Sequence, residues 1–256
     1  MLRSMYSSVA GLKSQQIKMD TIGNNIANVS TTGFKSGDVY FKEMISQDLG
    51  KPDGSPLNSQ VGLGVTVGAI DVKFTQGALQ STGRELDFSI EGDGLFVVAS
   101  KDNLVGDGSI IETDDLQYTR DGIFSWDPDG ALRTVDGNYV IGKDGKVVTK
   151  MNTVDVDVQV GSQIALATFN NYAGLNKQGN NNYMASSTSG DVNLPWAAGA
   201  GATDAGTIRS GYVEMSNVDL ASEFTNMIVT SRAFQANSRT ITTSDEMLQE
   251  LVNLKR

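Results

Sequence analysis

Apolar residues recur every seven positions at both ends of this chain and alternate with polar ones in between. Met5, Leu12, Met19 and Ile26 fall seven apart, and Leu220, Met227, Phe234, Ile241 and Leu248 do the same. A seven-residue period keeps side chains on one narrow stripe of an α-helix, the pattern of a coiled-coil seam. The spacing predicts one helix over about 3–29, its stripe widened by Val9, Ile22 and Val29, and a second over about 218–253, widened by Phe224, Leu251 and Val252. Gly11 and Gly23 interrupt the first helix, each at a cost of about 0.5–1 kcal/mol relative to Ala, so packing must supply its stability. Ser216-Asn217-Val218-Asp219 reads as the start signal of the second.

Between the helices the period changes to two. Val65-Thr66-Val67, Asp71-Val72-Lys73-Phe74, Asp87-Phe88-Ser89-Ile90, Leu95-Phe96-Val97-Val98, the run from Val154 to Val160 and the run from Ile164 to Tyr172 read as short strands. Tyr118 to Trp126 followed by Asp127-Pro128-Asp129-Gly130 predicts a hairpin. Residues 48–56 are loop by composition, and 173–210 are a Gly-, Asn- and Ser-rich loop region with room for a strand or two. The expected fold is α+β. The N- and C-terminal helices pair as a coiled-coil-like inner domain, and a mainly antiparallel β-domain intervenes. The expected division is 1–30 with 216–256 as the terminal-helix domain, 31–70 as a connecting region and 71–215 as the β-rich outer domain. A simpler arrangement competes, in which both helices pack on the β-region of a monomer.

Composition removes most enzymatic chemistry. The chain has no cysteine and no histidine, so thiolate nucleophiles, His-based triads and Cys/His metal sites are excluded. A net charge of −10 without a basic run argues against nucleic acid as a partner. No run approaches the roughly 20 apolar residues of a membrane span, and the first residues lack the continuous apolar segment of a cleaved secretory signal. Gly62-Leu63-Gly64-Val65-Thr66-Val67-Gly68 lacks the following helix that a phosphate loop needs, and it reads as turn and bulge glycines. Asp127-Pro128-Asp129-Gly130 supplies too few ligands for a calcium loop, and Asn138 stands where that loop needs glutamate. Asp114 and Asp115 have no flanking aromatic platform for a glycosidase cleft. No catalytic, cofactor or metal residue is therefore assigned. Asn24, Asn25 and Asn28 are more unusual. Asn24 and Asn28 share a helix face, where a buried amide can fix a seam's register or, equally, cap a fraying end.

The stretch Gly23-Asn24-Asn25-Ile26-Ala27-Asn28-Val29-Ser30-Thr31-Thr32-Gly33-Phe34-Lys35 resembles the N-terminal signature of bacterial flagellar axial proteins, the rod and hook subunits. Phe74 to Gly83, Glu91 to Val98, Tyr118 to Gly122 and Gly211 to Leu220 are similar to further blocks of that family. Asn24, Asn25, Asn28, Gly33 and Phe34 match the family motif. The resemblance implies a structural, non-catalytic subunit that polymerises into a helical tube, its terminal helices forming the inner wall. The nine step-seven residues would then be the polymerisation seam. It further implies export through the flagellar apparatus without a cleaved signal, assembly under a cap, and adjacent rod, hook and junction proteins as partners. Within the family, segments such as Phe234-Gln235-Ala236-Asn237 look hook-like, and hook is favoured. The length fits the alternative, the distal rod. A monomeric β-rich binding module is the remaining reading.

Overall fold

A computed structural model describes residues 2–48, 60–104, 115–149, 161, 163–195 and 205–254. The strand expected over Val154–Val160, most of the 48–56 loop and Asp114 lie outside these residues. The fold is α+β, as the change of period predicts: two long helices at the ends, packed against each other, and strands between them. The chain divides into two compact units. A helix unit comprises Met1–Ala27, Gly37–Asp71 and Asp219–Arg256, and a β unit comprises Asn28–Ser36 and Val72–Val218.

In the helix unit, α1 (Leu2–Ala27) and α2 (Leu220–Leu254) run antiparallel. Helix α2 starts two residues after the expected 218, and its cap is the last residue of the Ser216–Asp219 start signal rather than the first. Asp219 is the cap, its Oδ1 accepting from the Ala221 amide at 3.0 Å, whereas Ser216 Oγ accepts from Val218 in the approach. A carboxylate there also suits the positive end of the helix dipole. Residues 37–72 form two strand pairs: β1 (Gly37–Glu43) pairs with β4 (Val65–Val72), and β2 (Ser46–Asp48) with β3 (Gln60–Gly62). Gly64, at φ +128, faces α1 so closely that a Cβ would sit 3.3 Å from that of Ala10. Gly64 thus lets the link between β3 and β4 approach the helix, in keeping with its reading as a turn glycine.

In the β unit, a sheet of eight strands is built around β7 (Leu95–Ala99), which pairs with β8 (Gln117–Thr119), β11 (Tyr139–Val140) and β12 (Leu166–Ala167). Leu95, Val97 and Ala99 point into one apolar cluster with Tyr118 and Phe169, and Phe96 and Val98 into another with Phe88 and Phe124. Burial on both faces is why this strand reads as a continuous apolar run rather than an alternating one. The predicted hairpin joins β9 (Phe124–Trp126) to β10 (Leu132–Thr134), with Gly130 at φ +77 donating its amide to Asp127 at 2.8 Å. The sheet's far edge is β13 (Asn176–Gly179) on β14 (Asn182–Met184). Two antiparallel pairs complete the unit: β15 (Thr207–Ser210) on β6 (Phe88–Glu91), and β16 (Tyr212–Glu214) on β5 (Leu79–Ser81). The 164–172 run holds a strand only at Leu166–Ala167, because its neighbours form isolated bridges instead.

Candidate assembly surface

The α1–α2 seam is polar. Asn25 Nδ2 donates to Glu223 Oε1 at 2.9 Å, Ser8 and Thr240 share a hydroxyl–hydroxyl bond of 2.5 Å, and Gly11 lies against the Asn237 amide. The buried residues of α1 are Ser8, Gly11, Ser14, Ile22 and Asn25, and those of α2 are Thr230 and Ser244. On α2, Glu223, Thr230, Asn237 and Ser244 are themselves seven apart. A second step-seven line, made of small and polar residues, therefore closes the pair inside one chain. Small side chains let the helices approach, and hydrogen bonds satisfy what is buried.

The apolar step-seven set is less covered. Met5, Leu12, Met19, Ile26, Met227, Ile241 and Leu248 are half-buried. Leu220 and Phe234 are exposed at 39% and 42%. Tyr6, Val9 and Ile17 on α1 join them, as do Phe224, Ile228, Val229, Leu251 and Val252 on α2. Isolated exposed apolar residues are ordinary, but so many on two adjacent helices form a candidate interaction surface. The strand pairs of the helix unit add Tyr40, Val61 and Ile70, and the link between β1 and β2 adds Met44 and Ile45.

Of the motif asparagines, Asn25 is the buried one, whereas Asn24 is exposed and Asn28 lies in the turn after α1. The face shared by Asn24 and Asn28 is therefore not the seam. Besides bonding Glu223, Asn25 brackets Gly37, accepting its N–H at 3.0 Å and donating to its carbonyl at 2.9 Å. One amide thus ties α1 to both α2 and β1. Asn28 Oδ1 accepts from the Thr31 hydroxyl at 3.1 Å. Gly33, at φ +66, is buried against the backbone of Asp121, 2.6 Å from where a Cβ would stand, and Phe34 beside it is buried beneath the Lys177 ammonium.

Sequence reasoning missed a buried charge cluster in the β unit. Lys35, Arg120 and Glu214 are almost wholly enclosed. Glu214 Oε1 accepts from Lys35 Nζ at 2.6 Å and from the Gly77 amide at 2.8 Å, and its Oε2 accepts from Arg120 Nη1 at 3.0 Å. Lys35 also donates to the Thr75 carbonyl, and Arg120 to those of Ile90 and Gly92. Burial pushes the Lys35 amine below its ordinary pKa, against the pull of the Glu214 carboxylate. Nearby, burial raises Asp121, whose Oδ1 accepts from Thr32. The cluster joins the segment after α1, two β strands' flanks and the segment before α2, so it is a structural clamp. A signal was present in the sequence: each of the three charges lies in a block that resembles the axial family.

Among the described residues no group of carboxylates could hold a metal ion, and no helix is long and apolar enough to cross a membrane.

Comparison with known proteins agrees with this geometry. Residues 5–35 match the family model for the flagella basal body rod protein, 89–168 that for the D1 domain of the flagellar hook protein FlgE/F/G, and 209–254 that for the C-terminal region of the flagellar basal body rod FlgEFG proteins. The flagellar basal-body rod protein FlgG of Bacillus subtilis is 46% identical over the whole of both chains, and that of Borreliella burgdorferi is 36% identical, again over both whole chains. The flagellar hook protein FlgE of Borreliella burgdorferi is 28% identical, in an alignment that runs over 444 positions. The polar helix seam, the apolar residues left outside it and the β unit's clamp are thus features of a chain that belongs to the flagellar basal-body rod and hook protein family.

Proposed function

We propose that this chain is the distal rod subunit of the bacterial flagellum, a structural protein that polymerises into a stiff tube and performs no catalysis. The observation that carries assembly is the apolar set that the folded chain leaves uncovered on α1 and α2. Covering such a surface with another copy removes apolar area from water, and a repeated head-to-tail contact that does not close generates a helical tube. Rod is supported over hook by the relatives. Rod proteins match at similar length and higher identity, whereas the hook relative needs many positions this chain lacks. In this reading Met5, Leu12, Met19, Ile26, Leu220, Met227, Phe234, Ile241 and Leu248 belong to the polymerisation seam. Residues 1–30 and 216–256 form the inner tube, 31–70 connect, and 71–215 stand outside. The subunit leaves the cell through the flagellar export apparatus without a cleaved signal, assembles beneath a cap, and meets neighbouring rod, hook and junction proteins.

Deleting the gene and imaging isolated basal bodies tests the assignment. The rod reading expects structures that end at the proximal rod. Complete rods without hooks would overturn it in favour of the hook, and normal flagella would overturn both.

A further inference from the structure

The face of α2 turned away from α1 is segmented by charge. At about 100° per residue, Arg232 lies some 200° around the helix from Thr230 in the seam, and Arg239, Glu246 and Glu250 continue along that outer face. All four are exposed, and none makes an ion pair within the chain among the described residues. Arg232, Gln235, Ala236 and Arg239 line a concavity of about 340 Å³, in which Gln235 Oε1 accepts from Arg232 Nη1 at 3.2 Å. The basic half of the face thus carries a notch, with alanine between two guanidinium groups. The acidic half begins seven residues past Arg239 and is built of the side chains that would fill such a notch.

We propose that this face binds a second copy of the chain, with Glu246 and Glu250 of one α2 seated on Arg232 and Arg239 of the next. This rests on the reading of the chain as a polymerising subunit. Arg232 to Glu246 is 14 residues and Arg239 to Glu250 is 11, so the contact sets successive helices out of step by roughly 17–21 Å at 1.5 Å per residue. Because a basic segment meets an acidic one, each copy offers an unused half to a further copy, and the contact propagates instead of closing. Exposed ion pairs add little affinity, but opposing like charges are rejected, so the contribution is direction and stagger rather than strength. The apolar residues of α1 and α2 supply the burial.

Two full-length charge variants test this: Arg232→Glu with Arg239→Glu, whose outer face is acidic throughout, and Glu246→Arg with Glu250→Arg, whose outer face is basic throughout. Each alone is expected to lose at least tenfold in sedimentable polymer at low salt, with monomer helicity unchanged by circular dichroism. Mixed in equal amounts, they are expected to form filaments containing both in a 1:1 ratio. Wild-type polymerisation by either variant alone would overturn the proposal. So would a mixture that fails despite native helicity, or one that stops at dimers. If the wild-type chain forms no polymer with or without a native flagellar end as seed, the subunit reading itself falls, an outcome distinct from the others.

Discussion

The two units solve opposite packing problems. In the β unit, Leu95, Phe96, Leu116, Leu132, Ile141 and Ile164 are fully enclosed, and its largest buried polar groups are paired around Glu214. In the helix unit, α1 buries Ile22 and α2 buries no apolar side chain among its described residues, while serine, threonine, glycine and asparagine occupy the seam. The β unit has used its hydrophobic surface on itself. The helix unit has kept its own in reserve, and it holds shape with hydrogen bonds of modest net worth, about 0.5–1.5 kcal/mol each. The lesson is that the period of a pattern and the partner of a pattern are separate questions. Two stripes of the same period can run along one helix, one for the chain itself and one for its neighbours.

Substitutions can break this contrast from either side. The largest effect is expected from Phe234→Asp, which should abolish polymerisation as read by sedimentation. It should leave the monomer's stability within about 0.5 kcal/mol of wild type, as for exposed positions generally. Filaments from this variant would remove Phe234 from the assembly surface. Next, Glu214→Ala strands Lys35 and Arg120 in the interior, and loss of one partner from a buried ion cluster costs about 3–5 kcal/mol. Trp126 lies in β9 of the β unit, so tryptophan fluorescence in a urea titration reads this loss. A midpoint unchanged from wild type would show that the clamp contributes nothing. Smaller again, Asn25→Ala should destabilise the helix pair by about 1–3 kcal/mol through the unpaired Gly37 and Glu223 groups it leaves. Far-UV circular dichroism should then lose helix before the tryptophan signal moves. Simultaneous loss in both signals would contradict the separateness of the two units.

Much of this was legible in the sequence. Step-seven residues located both helices, the change to period two located the strands, and Asp127-Pro128-Asp129-Gly130 gave its hairpin. What the pattern did not tell is equally physical. Nothing in the sequence marks Thr230 and Ser244 as seam residues, because a polar residue on a helix looks solvated until the opposing helix is known. Lys35, Arg120 and Glu214 come from segments far apart in the chain, and nothing local distinguishes a charge that will meet its partner indoors from one that will face water. The 31–70 region reads as a connection because its composition changes along its length, and that composition does not reveal β1 or the full extent of β4, the two longest strands among the described residues. The segments that look hook-like, Phe34–Gly37, Thr82–Asp87 and those of the C-terminal helix, are short, and identity over the whole chain separates rod from hook better.

The polar seam has a mechanical side. Thr230, Asn237 and Ser244 are near-equivalent rungs, so sliding α2 past α1 by seven residues would exchange one small polar group for another at little cost. Two bonds resist it: Asn25–Glu223, and Ser8–Thr240, where Met247 would take the place of the threonine hydroxyl. After such a slip Asn25 would face Thr230, and the Glu223 carboxylate would hang beyond the end of its partner. One amide, itself anchored to Gly37, therefore acts as the main pawl of a ratchet, with the Ser8–Thr240 bond as a second, smaller catch.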